Sequence, residues 1–419
     1  MRGEFFLKPG LLTRVFGFVR YAAYLWSIEL ESLVMRIPDP AIKSDHSRQE
    51  KATIKVEIFF HNLTTSKIMP SNLVATVIQD YISFYGGRLD RFEQRPSEYG
   101  AMNMFNAQTN SPLSILDEKI KSNIEASFSR SVKIPVINYK DVAIGSARTC
   151  AMKTDGITSA LVTLTAVTYA WGFVSYPEQH YENYIDYSTA IQKLMDAGLQ
   201  KLAATIDAAC VALLETNKNQ YFPQAILDYY AEVGDALQVP QAEKDFFYNN
   251  LGSIMATMDY AGTPDIVTNH IGMAMVRKLG AQGEGNSVNS GFQLLGYTWY
   301  PTNRVTNGGA PIESTLYAVA PGSVALASRL DPDAKHRARI HESKYWDTFP
   351  NAPYIGRDLG VFYQADCADA SALDAAASAG LTRTKVESWE FSIDMFYIKP
   401  YVSDVANRYS PILKAEILA

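Results

Sequence analysis

The 419-residue sequence is poor in cysteine, in histidine and in surplus positive charge. Its three cysteines, Cys150, Cys210 and Cys367, lie far apart and form no CxxC pair. That excludes a disulfide framework and a structural zinc site, and it fits synthesis in a reducing compartment. Lys and Arg number 38 against 44 Asp and Glu, a net charge of -6 with pI near 5.6. A general nucleic-acid binder needs the opposite balance to displace phosphate counterions. Long apolar runs are also missing: no segment reaches the ~18 consecutive apolar residues of a membrane span. The nearest, "VFGFVRYAAYLWSIEL" at Val15–Leu30, is interrupted by Arg20 and Glu29. It also lacks the small-residue cleavage site of a secretory signal.

Catalytic signatures are equally scarce. There is no HExxH, no GxSxG and no GxxxxGK[ST]. "GAQGEGNSVNSG" carries glycines without GxGxxG spacing, and it follows a helical pattern instead of opening one after a strand. Carboxylate pairs such as Glu243/Asp245 and Asp331/Asp333 have no spacing that marks acid–base work. "DPDAKHRARIH" offers Asp331, Asp333, His336 and His341 as metal ligands. Lys335, Arg337 and Arg339 crowd the same segment and would repel a divalent ion, so a solvated, charge-rich segment is the better reading. No catalytic, cofactor-binding or metal residue is therefore expected, and no cofactor. A metal-assisted hydrolase using His336 and His341 is the enzyme alternative.

What the chain does have is aromatic residues, 25 Tyr and 19 Phe, and one very long helix. From Ile191, apolar residues recur at Met195, Leu199, Leu202, Ile206, Cys210 and Leu213, the period of an amphipathic helix. No proline interrupts 188–216, which at 1.5 Å per residue spans about 43 Å. The pattern covers only about three heptads, so a helix laid across a sheet fits better than a coiled coil. Cys210 falls on the apolar stripe as a small buried hydrophobe.

Upstream, "SVKIPVIN" alternates with period two, Val132, Ile134 and Val136 on one face. Pro135 cannot donate to a ladder and marks an edge or an isolated ribbon. Its partner is "ALVTLTAVTYAWGFV", beyond a loop of about 20 residues, long for a hairpin. A projecting β-ribbon is expected. Residues 101–130 read as loop and then helix, with Ile115, Ile120, Ile124 and Phe128 as a loose stripe, an arm more than a core. Beyond the long helix, 223–237, 239–258 and 265–280 read as helices, the last ended by Gly280. "STLYAVA" reads as strand and "PGSVALASRL" as helix. "GRDLGVFYQAD" and "KVESWEFSIDMFYIKPYV" read as long strands, making the chain α+β. Tyr169, Trp171, Phe173, Tyr176, Tyr181, Tyr184 and Tyr187 divide between core packing and subunit contact. Residues 1–68 differ in texture from the rest. They read as a removable leader, a small subdomain or, the favoured reading, an upstream extension before a start at Met69.

The order of parts carries a resemblance. The "VKIPV" strand opens a ribbon, the return passes through "YPEQHYENYIDY", and the long helix follows. Then come "QGEGNSVNSGFQLLGYTWYPTNRV", "LYAVAPGSVALASRL" and the closing "WEFSIDMFYIKPYV". Over about residues 100–419 this resembles the major capsid protein of tailed bacteriophages, the Hong Kong 97-type capsid fold. The resemblance implies an N-terminal arm (69–130), an extended ribbon loop (131–180) reaching over a neighbouring subunit, and a peripheral domain (181–264) with spine helix 188–216. It also implies an axial domain (265–349) and a return to the axial/peripheral sheet (350–419). It implies, further, a subunit that assembles with copies of itself into hexamers and pentamers of an icosahedral shell around double-stranded DNA. Portal, scaffolding and decoration proteins would be further partners, no membrane would be involved, and the shell would form in the host cytoplasm and persist in the virion. The acidic charge balance is compatible, because such a container holds DNA by confinement. An encapsulin-like nanocompartment with an enzyme cargo is the close alternative.

Overall fold

A computed structural model describes residues 76–83, 99–127, 129–137, 159–177, 184–260, 262–283, 296–330, 339–341, 344–369, 382–401 and 409–419. The chain divides into Met1–Lys67 and Ile68–Ala419, and every described residue lies in the second unit. In chain order its helices and strands begin with α1 (76–83), α2 (Gly100–Thr109) and α3 (Glu118–Ala126). Strands β1 (Ser131–Ile137), β2 (Ser159–Thr165) and β3 (Val167–Ser175) precede the long helix α4 (Tyr184–Thr216). Next are α5 (Gln224–Leu227), β4 (Ala231–Glu232), β5 (Leu237–Val239), α6 (Lys244–Thr257), β6 (Asp265–Thr268) and α7 (His270–Gly283). Strands β7 (Thr298–Pro301), β8 (Ile312–Val319), β9 (Ala325–Arg329), β10 (Arg339–His341) and β11 (Lys344–Ala352) follow. The series closes with β12 (Arg357–Asp369), β13 (Arg383–Ile398) and β14 (Ile412–Leu418).

Among the described residues, three sheets organise the unit. The first has strand order β10-β11-β12-β13-β3, with β9 also on β13, and all its pairs are antiparallel. Its inner face is an aromatic ladder. Across neighbouring strands Tyr363 faces Trp389, which faces Phe173, and Phe391 faces Trp171. The Trp171 and Phe391 rings stack at 4.7 Å, and Tyr363 meets Trp389 edge-on at 4.8 Å. Large rings suit this role because directly opposed side chains on one sheet face lie close enough to interlock.

Helix α4 packs into the same apolar cluster. Ile191, Met195, Leu199, Leu202, Ile206 and Cys210, the 3–4 stripe read from sequence, are all buried there. At 33 residues the helix is about 50 Å long. The one glycine in its middle has a packing reason: a Cβ on Gly198 would sit 2.4 Å from the Trp171 ring. Thr189–Thr216 would suffice by length and apolar content to cross a membrane. However, its stripe faces the sheet, and it carries two buried carboxylates, Asp196 and Asp207, that tie it to other elements.

The second sheet has order β4-β5-β14-β8-β6-β7. It gathers five distant stretches of chain, and two of its pairs, β14 with β5 and β6 with β7, are parallel. Residues of α5, α6 and α7 pack with it to form a second apolar cluster around Phe247, Leu251, Leu316, Leu413 and Ile417. The third sheet is the two-stranded ribbon β1–β2 alone.

Several sequence expectations are corrected. Residues 101–109 are not arm but core: α2 buries Ala101, Met102, Met104 and Phe105, and Gln108 donates to Asp265 and accepts from the Val324 amide. "PGSVALASRL" is a turn and the strand β9, not a helix. Its alanines face the layer formed by α3, where Ala325 and Ala327 lie opposite Ile398 and Phe396 and only small side chains fit. Alanine's helix preference loses to that tertiary demand. The helix expected over 223–237 is one turn of α5 and then the hairpin β4–β5. Its two-residue loop, Gly234-Asp235, has φ of 60° and 58°, the doubly left-handed turn that suits a hairpin's twist. The helix expected over 265–280 is strand β6 followed by α7, which continues to Gly283. The ribbon's return strand stops at Thr165, so Tyr169, Trp171 and Phe173 belong to the first sheet. Helix α4 begins at Tyr184, four residues before 188. Residues 265–349 and 350–419 are each divided between the first and second sheets.

Candidate assembly surfaces

The ribbon is rooted in a buried polar knot. Ser127 and Ser129 lie just before β1, and Ala166 and Thr168 just after β2. Arg329 on β9 donates from Nη1 to the carbonyls of Ser127 and Ser129, at 2.7 and 2.6 Å, and from Nη2 to Asp394 Oδ2 at 2.6 Å. Asp394 Oδ1 accepts from Thr168 Oγ at 2.6 Å, and Arg130 donates to the same hydroxyl oxygen at 2.8 Å. The guanidinium also lies 5.6 Å from the centre of the Phe396 ring. Arg329 and Asp394 are 4% and 8% exposed, so breaking this pair leaves a buried charge and costs about 3–5 kcal/mol. The ends of β1 and β2 are thus fixed to one ion pair, and among the described residues the ribbon pairs with neither larger sheet.

Along the ribbon, Val132 and Leu164 turn toward α3 in a third cluster with Leu116, Ile124 and Phe396. The opposite face presents Lys133, Pro135, Leu161 and Thr163, and Leu161 is 66% exposed. The described part of the ribbon thus packs one face on α3 and leaves the other, with Leu161, open.

The outer face of the first sheet holds a shallow groove of about 540 Å³. Ala170 and Gly172 give it a low floor, and Phe362, Gln364, Ser388 and Glu390 rise beside them. Trp346 packs next to Phe362 at 4.9 Å. Near the β4–β5 hairpin and on α6, Tyr229, Val233 and Phe246 are each more than half exposed. Tyr221, stacked on Tyr409 at 5.3 Å, continues the aromatic character of these loops.

Two carboxylates of α4 stiffen the body between these surfaces. Asp207 accepts from the Met102 amide at 2.8 Å and from Thr302 Oγ at 2.5 Å, fastening α2 and the end of β7 to the helix. Burial holds its carboxyl above the usual carboxylate range, against the pull of those hydrogen bonds. Glu215, at the other end, accepts from Tyr317 Oη at 2.5 Å, Lys218 at 2.8 Å and Lys414 at 3.3 Å. Burial would raise its carboxyl, but hydrogen bonds from Lys218 and Tyr317 and the charge of Lys414 win, and the net shift is downward.

The described residues include only part of the set singled out from sequence. His341 is on β10, whereas Asp331, Asp333 and His336 fall outside the described residues. Among the described residues no group of three or more His, Cys, Asp or Glu side chains is placed to hold a metal. Cys210 is buried and Cys367 exposed, and Cys150 lies outside the described residues, as do Phe128, the start at Met69 and the loop following Gly283. Sequence reasoning missed the Arg329–Asp394 knot. Its signal was present: Asp394 stands between Ile393 and Met395 in the mostly apolar "FSIDMFYI", and an acid where both faces of a strand are buried demands a cation.

No family profile matches the sequence, and no curated protein does. Solved structures do resemble it. The cyanophage Pam1 capsid asymmetric unit matches at TM-score 0.41 and 11% identity, over 71% of this chain and 87% of that one. The capsid of a native GTA particle matches at 0.39 and 13%, over 73% and 92%. A chain of Mycobacterium phage Che8 matches at 0.39 and 12%, over 73% and 89%. The chain is similar to phage capsid structures. At these identities and scores the likeness by itself assigns no function.

Proposed function

We propose that this chain is a major capsid protein with the Hong Kong 97-type arrangement, a non-enzymatic subunit that assembles into hexamers and pentamers of an icosahedral shell enclosing double-stranded DNA. The observation that carries the reading is the isolated ribbon β1–β2, clamped at both ends to a rigid body and presenting Leu161 outward. A subunit that tiles needs a stiff frame and an element that reaches beyond it. The frame is α4 with the aromatic ladder, and the reaching element is the ribbon. Ring-forming contacts between unlike surfaces generate closed capsomers, and many modest contacts per subunit sum to a stable shell. In this reading the 131–180 region lies over a neighbouring copy, and the subunit works in the virion after assembly in the host cytoplasm.

Negative-stain microscopy of the full chain, expressed and concentrated, tests the proposal. Closed particles are expected. A variant with residues 132–164 replaced by a short Gly-Ser linker should keep the circular dichroism of the body but form no particles. A wild-type chain that stays monomeric under assembly-promoting crowding defeats the reading. The nucleic-acid content of purified particles separates a DNA shell from a compartment with protein cargo.

A further inference from the structure

A polar cleft of about 490 Å³ opens between α2, α3 and the turn that joins β11 to β12. Among the described residues its wall holds two cations, Lys121 and Arg357, together with Asn103, Asn106, Asn110, Thr109, Tyr99 and Tyr354, and no carboxylate.

Arg357 is held there in an unusual way. Nη1 donates to Ser328 Oγ at 2.9 Å, and Nη2 donates to Asn106 Oδ1 at 2.6 Å and to the Leu326 carbonyl at 2.7 Å. All three acceptors are neutral, and Nε is buried with no acceptor. Burial pulls the guanidinium below its ordinary range, against the attraction of the Glu125 charge. A guanidinium in this setting normally faces a carboxylate or phosphate, because neutral acceptors do not offset the loss of water around the charge. Arg329, in the same chain, is more fully enclosed and meets Asp394 at 2.6 Å, whereas the half-buried Arg357 has only neutral acceptors.

The surroundings favour a negative guest. Asn106 spends its oxygen on Arg357, which leaves its Nδ2 as a donor. Of the nearby acids, Asp196 accepts from Tyr354 Oη at 2.6 Å and Asp358 from the Asn351 amide at 2.8 Å, while Glu125, exposed on α3, attracts Arg357 only through space.

We infer that this cleft is an oxyanion-binding site, taking a carboxylate or phosphate group against Arg357 and Lys121. The two sources of that chemistry are free phosphate and the acidic side chain of a second copy of this chain. The inference does not depend on shell formation, because it concerns the unassembled chain.

Isothermal titration of the unassembled full chain tests it, with inorganic phosphate and with succinate, each against sodium chloride of equal ionic strength. Saturable binding of at least one anion above the chloride control is expected. The stronger of the two identifies the source, succinate standing for the side chain. Lys121→Gln should weaken binding about tenfold, since a charge-assisted contact is lost, and Lys121→Glu should abolish it. Arg277→Gln, on the exposed face of α7, should leave it unchanged. Arg357→Gln is the more direct variant, but it removes three internal hydrogen bonds and can fail to fold. Lys121 lies on the half-buried face of α3 and carries no such burden. Chloride-like heats from both anions, or wild-type binding by Lys121→Glu, overturn the inference.

Discussion

The two larger sheets have the same number of strands and opposite constructions. The first is mostly a meander, in which β10 to β13 pair in sequence order through antiparallel neighbours, and only β3 and β9 come from elsewhere. The second is collected from across the chain, and its interior strand β14 pairs with β5 on one side and β8 on the other. A sheet made from neighbours in sequence closes short loops and loses little chain entropy per contact, whereas a collected sheet must close long ones first. The first sheet is therefore stabilised locally, by its rings. The second depends on one late strand.

Removing residues 412–418 is the sharpest way to break that contrast. It should abolish the second sheet, read as loss of cooperative unfolding and rapid proteolysis within 224–319, while fragments spanning β11 to β13 survive longer. Equal protection of both regions would erase the distinction. Next in size is Phe391→Ala, which empties the centre of the ladder and should cost about 3–5 kcal/mol in urea unfolding. Gly198→Val should cost about 1–3 kcal/mol, because its side chain must displace the Trp171 ring. Pairing it with Trp171→Ala should recover part of that loss if the clash is the cause.

The smallest effect concerns Glu215, which joins α4 to β8 and β14. Its folded carboxyl lies below the ordinary value, so its contribution is present at neutral pH. That contribution is lost as pH falls from about 4.3 through the lowered folded value. Glu215→Gln should flatten the acid limb of the stability curve and change little at pH 7. An unchanged acid limb would show that the Lys218 and Lys414 contacts contribute nothing.

The same contrast explains what could be read from the sequence. The α4 stripe and the ribbon's first strand announce themselves by period, because each buries one face, and β12 and β13 by long runs of strand-favouring residues. In the second sheet β8 reads as a strand, but β4, β5 and β6 do not, because they are only two to four residues long and adjoin helical patterns. Ala325 and Ala327 mislead for a related reason: their size is set by α3 above them, a neighbour two hundred residues away in the chain. The Gly234-Asp235 turn was legible and went unread, because the apolar residues around it also fit a helical period. The ribbon's isolation was anticipated from Pro135, which does sit in a strand with a single partner. The knot beneath it was not, since no local pattern pairs Arg329 with Asp394.

The placement of β14 has a consequence during protein synthesis. This strand is translated after every strand it joins, so a nascent chain carries β5 and β8 with the slot between them vacant. A chain from which β14 has not yet emerged therefore has an incomplete second sheet, and contacts that need the finished body must wait for it.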